Sequence, residues 1–126
     1  MTRSRLSRLA ALGAATLSMI IASATPSSAD SDKIVYLPGG RGYMKFHDNG
    51  DVFEVCDTKA DGHGVAGRLW EKNQVTQNAK TVLVLEDGGD SGCAKKGHDI
   101  GNVYTYSMDI SWNGGGGTYT SGWFNE

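Results

Sequence analysis

The sequence predicts an all-β domain that follows a short export signal. Three observations point to this fold class. The 126-residue chain contains 18 glycines but only two prolines, apolar and polar residues alternate along several stretches, and no stretch of the mature part shows a helical period. We expect six to seven short, mostly antiparallel strands, arranged as a small sandwich or open barrel with one disulfide.

The first 29 residues have the composition of a Sec-type signal peptide. Three arginines precede an apolar run over residues 9–24, and the small residues Ser27 and Ala29 stand three and one positions before the expected cut. The run falls short of the roughly 20 apolar residues that span a bilayer, so no membrane anchor is expected. We therefore expect a secreted, extracellular protein that begins at Asp30.

Cleavage would change both the charge and the size of the chain. It leaves 97 residues with nine basic and fourteen acidic side chains, a formal charge of −5 instead of −2 with histidines neutral. An acidic chain lacks the basic face that nucleic-acid binding requires, so this class of partner is not expected. A single domain of this size also has no room for a large enzyme cleft.

The mature chain begins with an extended segment and a glycine-rich hinge over residues 30–40, ahead of a single β-domain over residues 41–126. The apolar residues of the segment are Ile34, Val35, Tyr36 and Leu37. Two interpretations remain open. The segment can pair within its own sheet, or it can act as an arm that adds a strand to a protein partner.

A β-hairpin is the clearest element of the domain. Asn49 and Gly50 form the preferred dipeptide of a two-residue type I′ turn. The resulting register pairs Phe46 with Phe53, Met44 with Val55, and Lys45 with Glu54. The apolar pairs indicate a buried face, and the charged pair is expected to form an exposed ion pair on the other face.

Four more strands are expected after the hairpin, over residues 64–70, 81–85, 104–112 and 118–124. The third of these is the best defined, because apolar residues from Tyr104 to Trp112 alternate strictly with polar ones. Residues 71–79 are expected to form a polar connection. Residues 114–117 are all glycine and predict a loop into the last strand.

Both cysteines lie in the mature part of the chain. Export exposes Cys56 and Cys93 to oxidising surroundings, which predicts a disulfide between them. Closing this loop of about 38 residues would stabilise the fold by roughly 4 kcal/mol in the chain-entropy model. Neither cysteine has a His or second Cys at metal-ligand spacing, so a metal site or a nucleophilic thiol is not expected.

No catalytic group is expected, and the protein is interpreted as a non-enzyme. The run from Gly89 to Gly92 resembles the start of the nucleophile motif of chymotrypsin-like proteases, with Ser91 in the nucleophile position, but Cys93 replaces the next glycine. The mature chain is too short for the two barrels that hold such a triad. Nothing positions any of the three histidines as a base, namely His47, His63 and His98.

The run from Asp57 to Gly62 has some features of a calcium loop. Lys59 and Arg68 occupy positions three and twelve, where an EF-hand needs oxygen ligands, so that motif is rejected. A looser site shared with Asp87 or Asp90 remains open, although a solvated turn capped by aspartates is favoured. No metal and no cofactor are expected.

Large aromatic residues are frequent for so small a domain. Most are expected in the core, but three are candidates for contact with a sugar ring or a protein partner, namely Trp112, Tyr119 and Trp123.

The segment from Cys56 to Val65, CDTKADGHGV, resembles a signature of small secreted actinobacterial β-domain proteins. Within that group the chain is similar to the small adaptor subunits of umbrella toxin particles, which act against competing bacteria. The resemblance implies a non-catalytic connector between a lectin-like subunit and the stalk of a large toxin polypeptide. It also implies that an N-terminal extension, here residues 30–40, docks into the stalk.

The expected function is therefore that of a secreted, protein-binding adaptor in an extracellular antibacterial complex. Two alternatives remain open. A carbohydrate-binding module would use the candidate aromatic residues, and an inhibitor of an extracellular hydrolase would insert an exposed loop such as residues 87–92 into an active site.

Overall fold

The computed structural model describes residues 32–88 and 92–125, which form two four-stranded antiparallel sheets. The strands are β1 Lys33–Tyr36, β2 Gly42–His47, β3 Val52–Asp57, β4 Val65–Asn73, β5 Ala79–Asp87, β6 Ala94–Gly97, β7 Tyr104–Trp112 and β8 Thr118–Phe124. The expected signal peptide and Ser91 lie outside the described residues.

The two sheets form a sandwich and do not close into a barrel. The strand order is β1-β2-β3-β6 in the first sheet and β5-β4-β7-β8 in the second. This confirms the predicted all-β class, although eight strands are described instead of six to seven. The additional strand, β6, is only four residues long and contains two lysines and a glycine, so it shows no alternation that would predict it.

The core lies between the inner faces of the two sheets. The first sheet contributes Met44, Phe46, Phe53 and Val55, all almost fully buried. The second contributes Val65, Leu69, Leu83, Leu85, Tyr106, Met108 and Ile110. The ring of Phe46 stacks on that of Phe53, with the ring centres 4.9 Å apart. It also stacks on the ring of Phe124 in β8, with the ring centres 5.5 Å apart. Aromatic packing therefore joins the two sheets near the strand β8.

The hairpin of β2 and β3 has the predicted register but a different turn. All three predicted cross-strand pairs are present. Positive φ angles occur at Gly50 and Asp51, 89° and 52°, and not at Asn49. A type I′ turn requires positive φ at both central residues, so this turn is of another type. The register is nevertheless the predicted one, because the loop over residues 48–51 is still centred on Asn49 and Gly50.

The prediction that Lys45 and Glu54 form an ion pair is wrong. Strand β3 lies between β2 and β6, and β6 places Lys95 directly opposite Glu54. The ammonium of Lys95 lies 3.1 Å from the Glu54 carboxylate, which is buried and not exposed. Lys45 instead pairs with Asp32 at 3.0 Å, which attaches the start of β1 to the hairpin.

The predicted connection over residues 71–79 is also shorter than expected. Strand β4 continues to Asn73 and β5 starts at Ala79, so only residues 74–78 form the turn. The polar residues at these strand ends pair across the ladder, as Glu71 and Lys80 do at 3.5 Å. Polar composition here reflects a partly solvated end of the sheet and not a loop.

The predicted disulfide joins Cys56 on β3 to Cys93 just before β6, with their Cα atoms 4.5 Å apart. It links two neighbouring strands of the first sheet, β3 and β6. The described part of the chain has no helix with the length and apolar character needed to cross a bilayer.

Candidate binding surfaces

The segment that was a candidate arm forms the edge strand β1 of the first sheet. It pairs with β2 in antiparallel register. The side chains of Val35 and Leu37 point inward and are buried in the core, whereas Ile34 and Tyr36 point outward and are 40% and 63% exposed. Strand β1 is therefore part of the domain's own sheet, with one side of the strand packed and the other open.

The glycine-rich hinge after β1 is held in place by the segment that carries the family resemblance. Gly39 and Gly40 have positive φ angles of 74° and 66°. The Thr58 hydroxyl donates a hydrogen bond of 2.7 Å to the carbonyl oxygen of Gly40. The carboxylates of Asp57 and Asp61 each accept a hydrogen bond from the backbone N–H two residues later. These bonds are typical of Asx turns, the favoured interpretation of this motif.

A buried carboxylate lies on the outer face of the first sheet. Glu54 Oε1 accepts a hydrogen bond of 3.1 Å from the hydroxyl of Tyr43, and Oε2 lies within 3.1 Å of both Lys95 and His47. Burial acts to raise the pKa of Glu54, but these hydrogen bonds outweigh it, so the pKa lies below its usual value. Burial and the bond to Glu54 raise the pKa of Tyr43.

The Glu54 carboxylate also lies 3.1 Å from the sulfur of Cys56. Among the described residues, Glu54, Cys56 and Cys93 form the cluster whose ligand atoms are close enough to share a metal ion. Both sulfurs are joined in the disulfide, so neither is the thiolate that metal binding requires. The cluster is a structural contact around the disulfide.

Trp112, one of the three candidate aromatic residues, is covered by its neighbours. The guanidinium of Arg41 lies 4.1 Å from the centre of the indole ring, and the ring of His63 packs against it in a T-shaped arrangement with the ring centres 4.9 Å apart. A Cβ atom at Gly114 would overlap the indole, so the glycine loop packs against the ring. Its Nε1 is buried without a hydrogen-bond partner among the described residues. These contacts give Trp112 a packing role.

Trp123 lies on the outer face of the second sheet and is 48% exposed. The ammonium of Lys72 lies 4.3 Å from the centre of its ring. Tyr119 is also exposed, but it pairs with the core residue Ile110, whereas Trp123 pairs with Ser107. The two aromatic residues therefore lie on opposite sides of β8 and do not form one surface.

Asp109 anchors the outer face of the second sheet. Its Oδ1 accepts a hydrogen bond of 2.9 Å from Arg68 Nε, and its Oδ2 accepts one of 2.7 Å from Trp70 Nε1. Strand β7 carries Asp109 between β4, which carries Arg68 and Trp70, and β8. Both donors are thereby fixed in position over the centre of the sheet.

A shallow depression lies between the two indoles on this face. It has a volume of about 370 Å³ and is lined by Trp70, Ala79, Ser107, Asp109, Thr118, Thr120 and Trp123. The hydroxyls of Ser107 and Thr120 lie 3.0 Å apart and bond to each other. We call these seven residues the aromatic face. It combines flat apolar rings with a polar floor.

Among the described residues, the three histidines do not come together, and neither do they join the candidate calcium ligand Asp87. His47 contacts Glu54, His63 contacts Trp112, and His98 lies 3.7 Å from Glu71. Asp87, a candidate calcium ligand, is buried and accepts a hydrogen bond of 2.7 Å from the backbone of Asp57. The candidate inhibitory loop and Asp90 fall partly or wholly outside the described residues.

Sequence reasoning missed Trp70 and Asp109 as parts of a surface. The alternation of β4 contains the signal for Trp70, because Val65, Gly67 and Leu69 point inward and the next residue must point outward. Asp109 likewise alternates with the buried Met108 and Ile110. What the sequence does not contain is the pairing of β4 with β7, which brings the two side chains together.

Comparison with known proteins adds no assignment: no family model matches the chain, and neither the curated proteins nor the solved structures contain a significant match.

Proposed function

We propose that this protein is a secreted, non-catalytic protein-binding subunit of an extracellular complex, and that it binds its partner at the edge strand β1. In the form that the family resemblance suggests, it is the adaptor that joins a lectin-like subunit to the stalk of an antibacterial toxin polypeptide.

The observation that carries the proposal is the open edge at β1. The backbone N–H of Leu37 donates to the carbonyl of Gly42, so alternate residues of β1 use their main-chain groups toward β2. The same parity directs the main-chain groups of Ile34 and Tyr36 away from β2. Strand β1 is the last strand of the first sheet in the described part of the chain. A partner strand can therefore extend the sheet at this position.

The outward side chains of β1 supply contacts for such a partner. Ile34 and Tyr36 are exposed, and the ring of Tyr36 lies 6.1 Å from that of Tyr43 on the neighbouring strand. Aromatic side chains of this kind are frequent anchors in protein interfaces. The buried Val35 and Leu37 hold the strand in position before binding, which lowers the entropy cost of association.

This edge differs from the detachable arm considered from the sequence. Because Val35 and Leu37 are core residues, deletion of the whole segment would damage the fold and would not isolate binding. The appropriate variant changes only the outward side chains, as Ile34→Ser with Tyr36→Ser.

The experiment is affinity capture from culture fluid of the producing organism with the tagged secreted protein, followed by mass spectrometry. We expect the wild type to capture a large repeat-containing polypeptide and a lectin-like protein, and the Ile34→Ser/Tyr36→Ser variant to lose at least one of them. Val84→Ser is the matched control, because Val84 is an exposed β-branched residue in the other sheet. Equal capture by the wild type and the β1 variant would contradict the proposal.

A further inference from the structure

We propose that the aromatic face of the second sheet binds a neutral pyranose oligosaccharide, with one sugar ring stacked on Trp123. This site lies on the opposite sheet from the β1 edge, and the inference does not depend on the proposed protein-binding function.

The spacing of the two indoles fits a sugar ring. Trp70 on β4 and Trp123 on β8 flank β7, and neighbouring strands lie about 4.8 Å apart, so the two side chains are rooted about 10 Å from each other. Between them lies the depression of about 370 Å³. A shallow site of this width admits a flat ring.

The residues that line the depression match the chemistry of a sugar. A pyranose has an apolar C–H face that fits an aromatic ring and a rim of hydroxyls that both donate and accept hydrogen bonds. The aromatic face offers an exposed indole for the C–H face of the sugar. Beside the indole it offers hydroxyl groups and a carboxylate for the sugar hydroxyls. Ala79 is its only aliphatic lining residue among those described. The apolar part of the lining is therefore supplied mainly by the flat indole rings, and this is the shape that the C–H face of a sugar ring fits.

The carboxylate of the aromatic face is already held in position before a ligand binds. Asp109 is held by Arg68 and Trp70 through bonds of 2.9 and 2.7 Å. A carboxylate has about four lone-pair positions, so acceptor capacity remains for ligand hydroxyls. Arg68 balances the charge of Asp109, which favours a neutral ligand over a cationic one. The Lys72 ammonium, 4.3 Å from the ring centre, occupies one face of the Trp123 indole and restrains the ring before binding, so the sugar would stack on the other face.

The test begins with the secreted protein on an array of neutral oligosaccharides of the gluco, galacto, manno and N-acetylglucosamine series. The strongest ligand is then titrated by calorimetry. We expect Trp123→Ala to weaken its binding by about tenfold or more, because stacking is lost. Tyr119→Ala is the matched control: the side chain is exposed on the same strand but on its opposite side, so affinity is expected to remain unchanged.

A second variant keeps the test informative if Trp123→Ala does not fold. Thr118 is exposed and lines the depression, so Thr118→Glu places a bulky charge in the site without disturbing the core. It is expected to reduce binding as Trp123→Ala does, while thermal unfolding stays like that of the wild type. An empty array for the folded wild type, or array ligands whose affinity neither variant changes, would overturn the proposal. Capture of a protein through this face with an empty array would overturn it too.

Discussion

His47 Nε2 lies 2.9 Å from Oε2 of Glu54, a carboxylate that is only 7% exposed although it is on the outer face of its sheet. Tyr43 and Lys95 complete its hydrogen bonding from the two neighbouring strands. Glu54 therefore links β2, β3 and β6 through side chains, in addition to the main-chain ladder. Its ionised form is the one that these partners stabilise.

The first prediction is that acid destabilises the fold through Glu54. Its pKa is lower in the folded chain than its usual value of 4.5, so its contribution to stability is present above that pH and is lost as pH falls through the folded pKa. We expect the free energy of unfolding, measured by urea denaturation, to fall as pH is lowered from about 5 to about 3. Glu54→Gln should make this decline shallower.

At neutral pH, Glu54→Gln should cost about 1–3 kcal/mol, since a buried charged acceptor is replaced by an amide. Asp32→Asn is the matched control, because Asp32 is an acidic residue in an exposed ion pair with Lys45 and such pairs contribute little. An identical pH profile for wild type and Glu54→Gln would exclude Glu54 as the titrating group.

The second prediction concerns the disulfide. Cys56 and Cys93 are 37 positions apart, so opening their loop increases the entropy of the unfolded chain and should reduce stability by about 4 kcal/mol. The double variant Cys56→Ala/Cys93→Ala is expected to unfold at a clearly lower urea concentration than the oxidised wild type. Adding a reductant should shift the wild type toward the variant and leave the variant unchanged; a reductant effect on the variant would point to another cause.

Residues that alternate strictly made most of the fold predictable. The bounds of β7 and β8 agree with the expected strands, and the register of β2 with β3 contains the predicted apolar pairs. The strand β6 was not predictable, because its sequence AKKG carries no apolar alternation and its position depends on pairing with β3.

The aromatic face was predictable only in part, for a related reason. Trp123 stands out in the sequence, but Trp70 and Asp109 are 39 positions apart and meet only because β4 pairs with β7. That pairing passes over β5 and β6, which lie between β4 and β7 in the sequence, and no local pattern specifies this strand order. Local periodicity therefore predicts which face a side chain occupies, whereas strand order decides which side chains share it.

The third prediction concerns a close approach in the core. A Cβ atom at Gly67 would lie 2.5 Å from Cγ2 of Val55 and 2.8 Å from Sδ of Met44, both in the opposite sheet. Gly67→Ala is therefore expected to destabilise the fold by about 1–3 kcal/mol through overpacking. Urea denaturation provides the measurement.

Gly117→Ala is the control for this substitution, because a Cβ there meets open space, and its effect should stay within about 0.5 kcal/mol. A second test of overpacking removes the clash by shortening Val55, the residue of the opposite sheet that the new methyl group would meet. Val55→Ala should cost less in the Gly67→Ala background than in the wild type, since it creates room that the new methyl group fills. Strict additivity of the two changes would show that the sheets separate freely at this point.

The fourth prediction is an energetic coupling between Trp70 and Asp109. Asp109→Ala leaves the Trp70 indole N–H without its acceptor and should cost about 1–3 kcal/mol. Arg68, which is 42% exposed, should contribute less, so Arg68→Met is expected to cost under about 1 kcal/mol. In the Trp70→Phe background the indole donor is already absent, so Asp109→Ala should cost about 1 kcal/mol less than in the wild type. A double-mutant cycle by urea denaturation measures this difference; if the cost of Asp109→Ala is the same in both backgrounds, the 2.7 Å bond does not stabilise the fold.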